Sequence, residues 1–243
     1  MLVLAAELPA EDVRFISRTD QALLAIDAGV PIFGIVADTL GVTPDSRVKV
    51  LFCVEGPTDV KAFKALSHAL HISDQSIPDL TCDDRVAFVV LGGGTLIQWV
   101  SEHYLRALHK PELHIYDSDV PAYEVAQAVV NGRNDGSHAF RTAKHELECY
   151  LHPDAINEAF GVMIDVLDQP ATPGDSVGKR FAQAYSTAQG FDGVMRETVA
   201  KRYLAEQAFP RMNAARIVAR DPSGEVQEWF NHLRKMLNAT PGV

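Results

Sequence analysis

Six carboxylates in three short segments are the side chains of this 243-residue chain best suited to chemistry. They are Glu55 and Asp59, Asp117 and Asp119, and Glu146 and Glu148. Like charges held close together repel and raise each other's pKa, so such a group is stable only with a cation among its members. Oxygen ligands that leave room for water suit Mg²⁺ or Mn²⁺ rather than zinc. We therefore expect a Mg²⁺ or Mn²⁺ site where the fold brings the three segments together.

The three acidic segments follow the first, third and fourth of four predicted strands. From residue 48 onwards, short β-rich runs alternate with amphipathic helical runs, which is typical of strand–helix–strand units with a parallel sheet. The predicted strands are 48–54, 86–92, 112–117 and a short one near 138–142, and the predicted helices between them are 57–70, 95–108 and 121–130. Ligands of such sheets bind beyond the carboxyl ends of the strands. The pattern thus predicts a doubly wound α/β domain with six carboxylates at one edge.

The hydrophobic pattern divides the chain into three regions. Residues 1–47 contain a short predicted strand, VRFIS, and a helical stretch. Residues 48–152 form the predicted α/β domain, and residues 153–243 contain four runs with helical periodicity and little strand signal. We therefore expect a parallel-sheet α/β domain with a C-terminal helical appendage.

Composition limits the classes of partner. The 22 basic and 32 acidic residues give a net charge of -10, which argues against passive polyanion binding, because Lys and Arg supply most non-specific affinity for nucleic acid. Three widely spaced cysteines exclude a disulfide framework and a four-cysteine zinc site. No apolar run reaches the roughly 20 residues of a spanning helix, and the N-terminus lacks the positive flank of a secretory signal. We expect no membrane association and a cytoplasmic location.

Each acidic pair also has a purely structural interpretation. Asp59 could favour a helix N-terminus, with Thr58 as the cap. The second pair could be turn residues, and the third could lie on a solvated helix face. The occurrence of three acidic segments after three strands favours the metal-site hypothesis.

Two further features have alternative interpretations. Gly92–Gly94 follows the second predicted strand and is either an anion-binding loop or a tight turn. The C-terminal region contains a basic stretch that either contacts a DNA backbone or forms a solvated helix face. Its members are Lys201, Arg202, Arg211, Arg216 and Arg220.

The segments VLFCVEGPTD, IYDSD and KHELECYL resemble the three motifs of the TOPRIM (topoisomerase–primase) domain in its OLD-like (overcoming lysogenisation defect) version. The third motif is the most discriminating of the three. The resemblance covers roughly residues 48–152. It implies a compact α/β fold and divalent-metal-dependent cleavage of DNA, with a role in phage defence or DNA processing.

The resemblance also implies roles for individual residues. Glu55 and Asp59 correspond to the family's strand-end glutamate and the acid of the same turn. Asp117 and Asp119 match its DxD pair, and Glu146 and Glu148 match its closing acids. Lys144 stands where such nucleases place a basic residue near the scissile phosphate. Glu55 is expected either to bind metal or to act as general base.

One departure from the family concerns the ATPase that OLD-like proteins join to this domain. No P-loop is visible in the sequence: the nearest string, GDSVGKR from Gly174, has three residues between its glycines rather than four, and Arg in place of Ser or Thr. We predict a helix start there. The first 47 residues resemble the linker end of such an ATPase, so we expect either a separate ATPase partner or a chain that is a fragment. Family analogy also implies a homodimer.

Two rival functions remain open from sequence. One is a non-catalytic regulatory module that binds metal or DNA and docks an ATPase. The other is a phosphatase that uses its DxD motif for metal. A phosphatase of that kind needs a nucleophilic aspartate on the first strand, where this chain has Glu55.

Overall fold

The computed structural model describes residues 47–239, which contain a four-stranded, all-parallel sheet. The strands are β1 (Val50–Val54), β2 (Val86–Val90), β3 (Glu112–Tyr116) and β4 (His138–Arg141), in the spatial order β2-β1-β3-β4. Each strand lies within its predicted range and is shorter by at most two residues. The predicted parallel α/β class is therefore confirmed. The strand and helical stretch predicted in residues 1–46 lie outside the described residues.

Eight α-helices occur in the described part of the chain. They are α1 (Pro57–Ser73), α2 (Leu96–Ser101), α3 (Tyr123–Asn131), α4 (Pro153–Phe160), α5 (Val177–Ala188), α6 (Glu197–Tyr203), α7 (Ala214–Arg220) and α8 (Glu225–Asn238). The predicted helical C-terminal region is thus confirmed. Within residues 47–239, no helix is both long and apolar enough to cross a bilayer.

The single helix predicted over 95–108 is wrong. The helix α2 stops at Ser101, and a separate 3₁₀ turn covers Tyr104–Leu108. Between them His103 adopts a left-handed conformation with φ 49°, which an α-helix cannot accommodate. The His103 ring is held by Glu112, its Nε2 lying 3.1 Å from the carboxylate Oε1. A tertiary contact therefore overrides the local helical pattern.

The chain reverses its direction across the sheet between β1 and β3. From β1 it passes through α1 to β2 on one side, and then crosses by α2 to β3 on the other side of β1. In open parallel sheets, this reversal leaves a crevice at the carboxyl ends of the two central strands, where ligands bind. Glu55 directly follows β1 and Asp117 directly follows β3, so both residues lie at this switch point.

The C-terminal helices share the hydrophobic core of the sheet. On one face of β1, Phe52 packs on Phe63 of α1 with ring centroids 5.1 Å apart. Phe63 in turn contacts Trp229 of α8 at 5.9 Å, and Tyr150 contacts Trp229 at 5.2 Å. Trp229 and its aromatic partners are almost fully buried. This packing fixes the C-terminal helices against the sheet, and residues 47–239 belong to one compact unit.

Candidate functional site

The six predicted carboxylates lie around the Lys201 ammonium group. We call Glu55, Asp59, Asp117, Asp119, Glu146 and Glu148 the acidic cluster. Lys201 forms ion pairs with Glu146 at 2.8 Å and with Glu148 at 3.3 Å. It also acts electrostatically on the other four carboxylates. One cation from α6 is therefore shared by all three acidic segments.

Asp59 lies in the first turn of α1 and serves both the helix and the acidic cluster. Its Oδ2 accepts a hydrogen bond of 2.8 Å from the backbone N–H of Gly56, which is the N-cap residue of α1. The prediction that Thr58 is the cap is therefore wrong. The Asp59 carboxylate also repels those of Glu55 and Asp117. Asp59 therefore stabilises the start of α1 and also belongs to the acidic cluster.

Glu146 and Glu148 are buried, so their interpretation as a solvated helix face is wrong. Glu146 has an extended backbone and precedes a 3₁₀ turn over Leu147–Tyr150. Its Oε1 accepts a hydrogen bond of 2.8 Å from the N–H of Val177, at the start of α5. The N–H of Leu147, between the two glutamates, donates to Asp117 Oδ1 at 2.9 Å. This bond ties the third acidic segment to the second.

Removal from water raises the pKa values of five carboxylates of the acidic cluster, and repulsion from neighbouring carboxylates adds to this for Glu55, Asp117, Asp119 and Glu148. Loss of hydration is the largest cause for Glu55, Asp59, Asp117, Asp119 and Glu148. The pKa of Glu148 rises to about 7 because burial and the neighbouring carboxylates outweigh the opposing effect of Lys201. Asp117 feels Glu148, Asp59 and Asp119 in addition to its desolvation. The cluster therefore holds more negative charge than Lys201 alone balances.

Burial works to lower the pKa of Lys201, but the neighbouring carboxylates raise it overall. The strongest of these effects come from Glu148, Glu146 and Asp117. Lys201 thus stays protonated, and its side chain remains 27% exposed to solvent. A cation at this position is both fixed by the protein and reachable from outside.

Lys144 is not part of this arrangement. Its Nζ forms an ion pair with Asp168 and lies 5.3 Å above the ring of Tyr150. The Lys144 side chain is only 9% exposed. The resemblance places a basic residue near the scissile phosphate at Lys144, but in this structure Lys201 supplies the positive charge among the carboxylates.

Two residues of the site were not predicted from sequence. Lys201 belongs to the basic stretch noted above, but nothing in that stretch distinguishes it from its neighbours. Tyr123, at the start of α3, is a hydrogen-bond partner of the Glu55 carboxylate. The only sequence signal for Tyr123 is its position just after the DxD segment, in the loop-to-helix transition that follows the third strand.

A second group of potential metal ligands lies away from the acidic cluster. Within residues 47–239, Cys53, Glu112 and His114 are the only three such residues whose ligand atoms all lie within 4.8 Å of one another. Glu112 already accepts from Arg133 Nη1 at 2.8 Å and pairs with His114 Nε2 at 2.7 Å. The Tyr116 hydroxyl lies 2.7 Å from the other ring nitrogen of His114.

This second group is charge-balanced without a metal ion. Burial raises the pKa of the Cys53 thiol well above its ordinary value, which keeps it protonated. Burial also lowers the pKa of His114, so its ring stays neutral. The carboxylate of Glu112 is then matched by the guanidinium of Arg133. We interpret the group as a hydrogen-bonded core network rather than a metal centre.

Comparison of the chain with protein-family models, curated proteins and solved structures finds no match. The functional assignment therefore depends on the geometry and electrostatics of the site itself.

Proposed function

We propose that this protein is a Mg²⁺- or Mn²⁺-dependent DNA endonuclease of the OLD-like TOPRIM type. The observation that supports the proposal is the grouping of six carboxylates from three distant segments around Lys201, at the carboxyl-end edge of the sheet. These three segments carry the motifs that resemble the family. A cytoplasmic location belongs to the same proposal.

The donor set has the ligand chemistry of a hard divalent cation. Within residues 47–239 no three of these carboxylates have oxygens within 4.8 Å of one another, so binding an ion would require their side chains to move closer together. All six side chains offer carboxylate oxygens, which Mg²⁺ and Mn²⁺ prefer. Five of the six have raised pKa values, so an added positive charge would relieve repulsion that the protein otherwise bears. A metal bound by these carboxylates supplies water activation and neutralises charge on the transferred phosphoryl group.

Three residues of the chain would then have separate roles in hydrolysis. Phosphodiester hydrolysis forms a bond from a water oxygen to phosphorus and breaks the bond to the leaving sugar oxygen, which takes up a proton from solvent. Glu55 lies at the rigid end of β1 and accepts the proton of the attacking water at its carboxylate. The Lys201 ammonium stabilises the negative charge that develops on the phosphate. Asp117, which is held by the N–H of Leu147, helps to fix the geometry.

A second candidate function is a non-catalytic regulatory module that docks an ATPase or DNA. The ion pairs of Lys201 with Glu146 and Glu148 favour it, because they neutralise part of the cluster without a metal. Both candidate functions are compatible with a separate ATPase subunit and with a homodimer.

A plasmid-nicking assay with Mg²⁺ or Mn²⁺ tests the proposal. We expect the wild-type protein to nick supercoiled DNA, and Glu55→Gln and Asp117→Asn to lose at least about 100-fold of that activity. Asn keeps the acceptor oxygen that Leu147 uses, so Asp117→Asn should fold normally. Asp192→Asn, which changes an exposed loop acid, is the matched control and should keep full activity.

The same assay separates the two candidates. Metal binding by calorimetry without nicking, even with candidate ATPases added, would favour the regulatory module. Nicking by Glu55→Gln and Asp117→Asn at the wild-type rate would show that the acidic cluster is not the active site.

A further inference from the structure

The glycine loop between β2 and α2 forms a tight turn beside the switch point. Gly92 has a positive φ of 73°, which favours glycine at this position. Its carbonyl oxygen accepts hydrogen bonds from the N–H groups of Thr95 at 3.0 Å and Leu96 at 2.8 Å. These bonds account for Gly92 as a turn residue. They leave the glycines at the next two positions unexplained.

Gly93 is required for a different reason. Its φ lies outside the left-handed region, so its backbone conformation suits any residue. A Cβ atom built on Gly93 would lie 3.1 Å from Cδ and 3.4 Å from Cγ of Glu55, and would overlap Glu55 Oε1. A Cβ built on Gly94 would meet nothing within 4 Å. Of these two glycines, only Gly93 lies against the Glu55 carboxylate.

Tyr123 bounds the Glu55 carboxylate as well. The Tyr123 hydroxyl is a hydrogen-bond partner of Glu55 and lies 3.4 Å from the carbonyl oxygen of Gly93. The Tyr123 ring is almost fully buried and packs on Tyr116 with a centroid distance of 5.5 Å. Glu55 is therefore confined between a loop backbone and a fixed phenol.

We propose that Gly93 is the positioning residue for Glu55: the absence of a side chain lets the loop backbone lie against the carboxylate and hold it in one orientation beside the acidic cluster. Active-site groups need to be held within about 0.5 Å of the productive geometry. A methyl group at Gly93 would displace the Glu55 carboxylate by about 1 Å, a shift that can lower catalysis by about 100-fold. The metal-binding and cleavage consequences rest on the proposed function.

The substitution Gly93→Ala tests this role, with Gly94→Ala as the matched control. The new methyl group meets the far end of a flexible side chain, so Glu55 rotates and the loop stays folded. Both substitutions reduce the entropy of the unfolded chain equally, so a difference in melting temperature between the metal-free variants measures the cost of moving Glu55 in the folded state. In calorimetric titrations with Mn²⁺, we expect Gly93→Ala to bind about 10- to 100-fold more weakly than Gly94→Ala and the wild type.

Glu55→Asp provides a second readout that a purely structural defect would not give. Aspartate is one methylene shorter, so its carboxylate avoids the methyl group of Gly93→Ala. In a double-mutant cycle, Glu55→Asp should therefore cost less Mn²⁺ affinity in the Gly93→Ala background than in the wild type. A purely additive cycle would overturn the positioning role.

The outcomes distinguish this inference from the proposed function. Wild-type binding of Mn²⁺ together with equal affinity of Gly93→Ala and Gly94→Ala would overturn the role of Gly93 alone. Absence of Mn²⁺ binding by the wild-type protein would overturn the proposed function and this role with it. Weaker binding confined to Gly93→Ala, with non-additive rescue by Glu55→Asp, would support it.

Discussion

Lys201→Met removes the ammonium group from the acidic cluster while keeping a side chain of similar length. The substitution leaves Glu146 and Glu148 buried without a cation, since their side chains are only 3% and 6% exposed. Breaking a buried ion pair by removing one partner costs about 3–5 kcal/mol. Because Lys201 is itself partly reached by water, we expect a lower figure, about 2–3 kcal/mol in the free energy of unfolding.

The loss should be visible as a lower melting temperature. For a unit of this size, each kcal/mol shifts the melting temperature by about 2–4 °C, which gives a decrease of roughly 5–10 °C. Lys61→Met is the matched control, because Lys61 forms an ion pair with Glu206 in which both side chains are exposed. Exposed pairs contribute about 0–1 kcal/mol, so the control should melt close to the wild type.

The pH dependence of the defect identifies its cause. The folded-state pKa of Glu148 is raised to about 7, chiefly by burial, and removal of Lys201 raises it further. A carboxylate with a raised folded pKa contributes stability that is present below its unfolded pKa of about 4.3 and lost as pH rises through the folded value. Lys201→Met should therefore be least stable above pH 7 and should recover as the pH falls towards 5.

Thermal unfolding of both variants between pH 5 and 8, with and without Mn²⁺, measures these effects. Saturating Mn²⁺ at 100 times its Kd should restore about 2.7 kcal/mol to Lys201→Met if the carboxylates bind the ion. A variant as stable as the wild type at pH 8, or a defect of constant size across the pH range, would refute the electrostatic account of the acidic cluster.

Two further predictions concern groups outside the acidic cluster. Arg133→Met should lower the free energy of unfolding by about 3–5 kcal/mol in chemical denaturation, because it leaves the buried Glu112 without its guanidinium; a loss below 1 kcal/mol would contradict the charge-balanced interpretation. His138 and His232 stack with ring centroids 4.2 Å apart, and burial lowers both pKa values. The stability they contribute is present above pH 6.5 and lost as pH falls through their folded pKa values, so His232→Gln should lose less stability than the wild type between pH 7 and 5. Equal losses in parallel melting curves would show that the stack is not linked to protonation.

The acidic cluster could be predicted from sequence because its three segments obey a local rule. Each carboxylate pair follows a strand, and the carboxyl ends of parallel strands share one edge of the sheet. The strand that precedes Glu55 is wholly apolar and fully buried, and the alternation of strands and helices sets the parallel order. The position of these residues at the strand ends therefore predicts that their side chains lie near the same edge of the sheet.

Lys201 could not be predicted in the same way. Its helix is seven residues long, and its place in the site depends on how α6 docks on the sheet. That docking depends on contacts between residues far apart in the chain. Nothing in the basic stretch distinguishes Lys201, which is partly buried among carboxylates, from Arg202 beside it, which is exposed.

For Lys144, the sequence motif implies a different position from the one in the structure. Its sequence neighbours Glu146 and Glu148 enter the acidic cluster, but Lys144 pairs with Asp168, a carboxylate in the loop between α4 and α5. A motif specifies which residue types are present in a short segment. It does not specify which partner from elsewhere in the fold each of them takes.

The order in which the chain is made gives the position of Lys201 a further meaning. A ribosome completes all four strands and all six acidic side chains before it reaches α6. The nascent protein thus carries a patch of unmatched negative charge until the lysine emerges and its helix docks. The centre therefore matures only after α6 has been translated.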